Sequence, residues 1–236
     1  MAHYPCAIPV TYRHMRAMAV LLVMLLLALG LLILAARLYQ YAQERKQQPP
    51  VASVFVPWRD PDARQCIESL RTGDVALRMG RGTFSRMLAS FNQRDKSYSH
   101  CGLVVVEHGY PFVYHCEGAE GDSLPCIRRD SASWFFAPSA NVTAGAIRYD
   151  MADSIKETLV PLIREWRTRR PVFDALFDLN TDNELYCTEF VYKVITQLMG
   201  DSTYLPLSTL NARRFEGTDD LYLNPHASFI WQVRFK

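Results

Sequence analysis

Three polar residues in this sequence have the types and spacing to activate a thiol: Cys187, His100 and Glu117. A thiol is a weak nucleophile until a base takes its proton, and the base needs a third group to fix its tautomer and orientation. Cys187 lies in Asn183-Glu184-Leu185-Tyr186-Cys187-Thr188-Glu189-Phe190-Val191, which reads as a loop turning into a helix. With a start near Asn183, the apolar Phe190, Val191, Val194, Ile195 and Leu198 share the helical stripe that carries Cys187. Asp182 or Asn183 is placed to cap the exposed N–H groups, whose positive partial charge favours a thiolate. The competing reading is a small buried cysteine that packs as a hydrophobe.

His100 opens the apolar run Cys101-Gly102-Leu103-Val104-Val105-Val106, and a second strand, Phe112 to Glu117, follows closely. A hairpin closed by Glu107 to Tyr110 sets Val106 opposite Pro111, Gly102 opposite His115 and His100 opposite Glu117. Directly opposed residues share a face, with Cβ atoms about 4.5–5.5 Å apart. That is hydrogen-bonding range for an imidazole and a carboxylate. A slip of one residue would lose the pair. The roles are then Cys187 as nucleophile, His100 as base and then acid, and Glu117 as orienting carboxylate. His115 shares their face and is a second base candidate, against the plainer reading of a hydrogen-bonded strand residue. His100, Cys101, His115 and Cys116 do not make a metal site, because neighbours along a strand point to opposite faces. No metal or cofactor is required.

These side chains must be held by a mixed α and β domain. The pattern predicts helices over Asp62–Leu70, Thr83–Phe91 and Ser154–Arg167, the last carrying a potentially kinking Pro161. It predicts strands over Val75–Arg78, Cys101–Val106, Phe112–Glu117, Leu124–Arg128, Gly145–Tyr149 and Phe229–Phe235. A sheet with segregated helices is an α+β arrangement.

The chain has 236 residues and a formal net charge of +2, with no basic tract to suggest a nucleic-acid partner. Much of its 49% hydrophobic content lies near the N-terminus. Ala17 to Ala36 has no polar side chain, and ~20 residues at 1.5 Å each span a hydrocarbon core of about 30 Å. A signal peptide has an apolar region of about 7–15 residues, so a retained anchor is favoured, although Leu34-Ala35-Ala36 leaves cleavage open. Arg13 and Arg16 before the span and Arg37, Arg45 and Lys46 after it give no clear orientation. Pro49-Pro50 ends any helical extension. The expected organisation is a tail over 1–16, a transmembrane helix over 17–36, a juxtamembrane helix and linker over 37–52, and a folded domain over 53–236. None of the six cysteines forms a C-x-x-C pair. A disulfide among Cys101, Cys116 and Cys126 is possible in an oxidising compartment.

The order of motifs resembles the YiiX/YebB-like hydrolases, circularly permuted NlpC-type members of the papain-like cysteine hydrolases. The resemblance rests on Gly73-Asp74-Val75, Ser99-His100-Cys101-Gly102-Leu103-Val104, Val113-Tyr114-His115-Cys116-Glu117, and Phe173-Asp174 running on to Leu185-Tyr186-Cys187-Thr188-Glu189. In unpermuted relatives the cysteine precedes the histidine; here the histidine comes first. The resemblance implies a permuted papain-like fold, a small antiparallel sheet packed on helices, and a Cys-His-Glu triad at Cys187, His100 and Glu117. It also offers Tyr186 and Asp74 as substrate-positioning candidates, Asp74 more naturally as a turn cap. Acidic Asp178, Asp182, Glu184 and Glu189 near the thiol would work against its ionisation. The expected protein is a single-pass bacterial inner-membrane hydrolase whose soluble domain is periplasmic. It would cleave an amide or related acyl bond in a peptidoglycan peptide or a lipid-linked substrate. The alternatives are a non-catalytic lipid or acyl-ligand binding module and a structural partner in a membrane complex.

Overall fold

The computed structural model describes residues 10–47, 56–57, 60–118, 124–210 and 212–235. The chain divides into two compact units, 1–50 and 51–236. The first contains one continuous helix, α1 (Val10–Gln47). Its Met18–Ala36 stretch of 19 residues has a mean hydropathy of 3.1 and is long and apolar enough to cross a membrane, a property signal sequences share. Pro49-Pro50 falls outside the described residues.

The second unit is built on a seven-stranded sheet. Its strands are β1 (Val56–Pro57), β2 (Val75–Gly80), β3 (His100–Glu107), β4 (Tyr110–Cys116), β5 (Ile127–Ser131), β6 (Asn141–Tyr149) and, late in the chain, β11 (Ala227–Arg234). They lie in the order β1-β11-β6-β2-β3-β4-β5. Every pairing is antiparallel except that of β1 with β11. Two short ladders lie outside the sheet: β7 (Val172–Phe173) with β8 (Glu184–Leu185), and β9 (Ser208–Leu210) with β10 (Arg213–Phe215). The helices of the unit are α2 (Asp60–Glu68), α3 (Thr83–Phe91), α4 (Ala132–Phe135), α5 (Asp153–Thr168), α6 (Cys187–Met199) and α7 (Thr218–Tyr222). The expected α+β class, with a sheet packed on helices, is what the chain adopts.

The β3–β4 hairpin has the expected register, Val106 opposite Pro111. Pairing continues to Glu107 and Tyr110, so the turn is only His108-Gly109, with φ of +49° and +81°. Positive φ at both central residues is the type I′ geometry that matches strand twist, and Gly109 adopts it without a Cβ clash.

Alternation along β3 distributes its side chains between two cores. Cys101, Leu103 and Val105 join Phe190, Val191, Val194 and Ile195 of α6 and Leu159 and Ile163 of α5. Val104 joins Val113, Ala132 and Phe135 on the opposite face. Helix α5 runs unbroken through Pro161 because Leu159, Leu162, Ile163 and Trp166 bury one face. The proline itself is exposed, so water can reach the carbonyl it leaves unpaired. Strand β5 starts three residues later than expected, and the short β7–β10 ladders, α4 and α7 carry no periodic signal long enough to read.

Asp74 is buried at the turn before β2. It accepts from Arg148 Nε at 2.7 Å and Nη2 at 2.8 Å, and from the Arg71 N–H at 2.7 Å. It does not line the cavity described below, which corrects its candidacy for substrate positioning: its partners make it a cap and an ion-pair anchor. Arg148→Met should cost about 2 kcal/mol in denaturant unfolding, below the full penalty of an orphaned buried charge because Arg148 is partly open to water. Activity per folded molecule should be unchanged.

Candidate active site

Helix α6 begins at Cys187 itself. Glu184 and Leu185 are held in the β7–β8 ladder, so the helix cannot start at Asn183 as the capping residues suggested. Tyr186 is the N-cap, and its N–H donates to the Glu189 carboxylate at 3.1 Å. The thiol therefore sits in the first helical position, where unpaired N–H groups gather. Those of Cys187 and Thr188, together with the N–H and thiol of Cys101, donate to the Cys187 sulfur. They hold its pKa below the ordinary thiol value of 9.0, the Cys101 thiol contributing most and burial opposing. Cys101 is pushed well above that value, chiefly by burial and by its bond to Cys187, so it keeps its proton and acts as donor. Of the acidic residues flanking this turn, Glu189 and Asp182 both pair with Lys193.

His100, one residue before Cys101 on β3, points to the other face of the sheet and lines the same cavity as Cys187. Its Nε2 lies 2.8 Å from His115 Nδ1, and His115 Nε2 lies 2.8 Å from Asp130 Oδ2. Asp130 reaches His115 diagonally, since β4–β5 pairing sets His115 opposite Arg128 and Val113 opposite Asp130. A disulfide between Cys116 and Cys126 joins the end of β4 to the segment entering β5 and closes the intervening loop. Phe135 of α4 packs under both imidazoles, its ring centroid 5.8 Å from that of His100 and 5.2 Å from that of His115. Gly102 is what lets them meet. A Cβ there would lie 2.7 Å from the His115 Cβ and 2.6 Å from Val113 Cγ1, forcing the strands apart.

The expected His100–Glu117 pair does not form. Glu117 binds Arg78 Nη2 at 2.9 Å and Arg128 Nη1 at 3.4 Å. The reason is the third strand: Arg78 of β2 lies directly opposite His100, and its fixed positive charge takes the carboxylate that a neutral imidazole would otherwise hold. His100 then finds its partner in His115. Burial, with Arg78 and His115 adding to it, pushes the His100 pKa well below 6.5, so the ring is neutral near pH 7. Asp130 is held below the usual carboxylate range, first by its hydrogen bond to His115.

That charge orders the protons. An ionised Asp130 only accepts, so His115 carries its proton on Nε2 and presents a lone pair at Nδ1. With one proton per ring, His100 then carries its own on Nε2, leaving Nδ1 as a free base toward the cavity. Tyr186 does border the cavity, but its hydroxyl accepts from the Glu216 N–H at 3.0 Å, and Thr188 Oγ1 donates to the Glu216 carbonyl at 2.6 Å. The residues on either side of Cys187 are thus fastened to one backbone unit. His115 was visible as a second candidate on the His100 face. Asp130, Arg78 and Cys101 were not, because each depends on a strand register that the β3–β4 hairpin alone does not define.

The cavity has a volume of about 930 Å³. Its polar end carries His100, Arg78, Glu117 and Cys187, and its walls are mainly apolar, with Phe84, Leu88, Phe91, Phe173, Phe177 and Phe215.

No protein-family model matches the chain, and no curated protein matches its sequence. Among solved structures, the metalloprotein YiiX from Escherichia coli O157:H7 matches with a TM-score of 0.55 and 16% identity, over 68% of this chain and 98% of that one. In fold, this chain is YiiX-like. At that identity the likeness speaks for the fold alone, and it accords with the permuted papain-like arrangement of a histidine strand preceding a cysteine helix. Among the described residues of this YiiX-like chain, no three His, Cys, Asp or Glu side chains are grouped to hold a metal ion. His115 and Asp130 are committed to their hydrogen bonds.

Alkylation of Cys187 by iodoacetamide should rise with pH through a midpoint below 9.0, because the thiolate is the reactive form. Cys101→Ala removes the leading donor and should move that midpoint upward. Peptide mapping by mass spectrometry across a pH series measures both.

Proposed function

We propose that the protein is a membrane-anchored cysteine hydrolase that cleaves an amide or related acyl bond through Cys187, His100, His115 and Asp130. The observation that carries this reading is the unbroken chain Asp130–His115–His100 ending at the cavity that also receives the Cys187 thiol. His100 Nδ1 takes the thiol proton as Cys187 Sγ bonds to the substrate carbonyl carbon. The oxyanion is held by the Cys187 N–H at the helix start, with Arg78 nearby as a fixed positive charge. The intermediate collapses as the bond to the leaving group breaks, and His100 returns the proton to that group. Water, deprotonated by His100, then attacks the acyl-enzyme and releases the acid and the free thiol. Asp130, through His115, holds the base in the right tautomer and stabilises the imidazolium as it forms.

The apolar walls of the cavity support a lipid-linked acyl substrate over a peptidoglycan stem peptide, whose polar backbone would find few partners there. The Cys116–Cys126 disulfide supports a periplasmic position for the domain, since such bonds persist in oxidising compartments. A non-catalytic acyl-ligand binding module would use the same walls. It would have no need of an activated thiol or an ordered proton chain.

Incubation with acyl-amide and acyl-thioester libraries should leave a covalent adduct on Cys187, seen by intact-mass and peptide mass spectrometry, and absent from Cys187→Ala. A wild-type chain that binds acyl ligands but neither forms the adduct nor turns them over would indicate the binding module.

Asp130→Asn should lower kcat/KM by roughly 10²–10⁴-fold by losing the charge that orders the tautomers. Glu117→Gln should cost far less, because it frees Arg78 without touching the relay. Steady-state kinetics of the two variants separates the relay from the originally expected triad.

A further inference from the structure

The outer rim of the cavity is chemically unlike its floor. Phe84, Trp134 and Leu176 line the opening, and Met87 lies beside Phe84 one turn along α3; these four leave between 48% and 76% of their surfaces exposed. Apolar side chains of this size, gathered round one opening, form a patch rather than the scattered exposure normal for a soluble surface. Interleaved with them are exposed arginines: Arg81 and Arg213 on the cavity rim, and Arg86 on α3 between Phe84 and Met87. Two carboxylates lie close by. Glu117 is neutralised by Arg78 and Arg128, and Asp178 lies within electrostatic reach of Arg213. The rim therefore remains net positive.

Aromatic, Leu and Met side chains among arginines are the composition that seats at a lipid headgroup boundary. The apolar groups enter the acyl region, the guanidinium groups stay at the phosphates, and Trp prefers the interface between them. We propose that this rim docks on an anionic bilayer surface, so that the cavity opens directly onto lipid. A protein partner would need a complementary acidic and apolar surface. A bilayer supplies both without shape matching, and the apolar Met18–Ala36 segment of the same chain is long enough to hold it there. The contact lets an acyl chain pass from bilayer to cavity without crossing water.

The test uses the full-length chain reconstituted in phosphatidylcholine vesicles, with and without phosphatidylglycerol, containing lipids brominated near the top of the acyl chains. Bromine quenches tryptophan only at contact range. Quenching should be strongest in the anionic vesicles, and most of it should disappear in Trp134→Phe. Met87→Asp and Arg86→Glu, which line no part of the cavity, should each reduce quenching, and added salt should mimic Arg86→Glu. Two results overturn the proposal. One is quenching unaltered by Trp134→Phe. The other is quenching kept in Met87→Asp, which would mean that Trp134 meets lipid without the patch. Shielding of Trp134 that grows with the protein-to-lipid ratio would assign the patch to a second copy and equally overturn it. The readout needs no turnover, and a Cys187→Ala chain serves as well as wild type, so failure here leaves the hydrolase reading standing, and the reverse.

Discussion

The Asp130 carboxylate accepts from His115 Nε2, and the direction of every proton in the site follows from that one bond. A carboxylate that stays ionised cannot donate, so His115 must, and the same logic passes through His115 Nδ1 to His100. The result is a lone pair on the ring nitrogen of His100 that faces the cavity. Phe135 encloses both rings and excludes water that would otherwise compete for these bonds. An imidazole in place of the usual direct carboxylate lengthens the relay without changing what it does: fix the tautomer and oppose the charge that develops on the base.

The second constraint is the alternation of β3. His100 and Cys101 are neighbours in sequence yet serve opposite faces, one joined to the relay and the other to the nucleophile. A single strand end thus touches both halves of the machinery and fixes their separation. Gly102, the next residue, removes the Cβ that would part β3 from His115. On the helix side, Glu216 receives Thr188 and donates to Tyr186, so the Cys187 turn is held by a backbone segment whose conformation does not depend on substrate.

Polarity is graded along the cavity. Ionisable groups gather at the thiol, aromatic walls follow, and the rim mixes exposed apolar side chains with arginines. Such a gradient suits a substrate with a reactive carbonyl at one end and a long apolar body at the other, delivered from a surface rather than from bulk water.

Much of this was legible in the residues. The apolar span, the α3 limits, the β3–β4 register, and His100 and Cys187 as chemically active residues all rest on local patterns: unbroken hydrophobicity, helical spacing, period-two alternation and a His-Gly turn. These patterns act over a few residues, so the sequence carries them intact. The choice between Glu117 and Asp130 is of another kind. Glu117 sits on the correct face in the correct register, and in an isolated hairpin it is the natural partner for His100. Only when β2 pairs alongside β3 does Arg78 arrive opposite His100 and claim that carboxylate. Only when β5, tied by the Cys116–Cys126 disulfide, settles against β4 does Asp130 reach His115. Likewise the helix start moves to Cys187 because Glu184 and Leu185 pair with a segment twelve residues earlier. The chain itself determined which residues could do chemistry. Lateral strand pairing, whose register depends on contacts distant in sequence, decided which of them do it together.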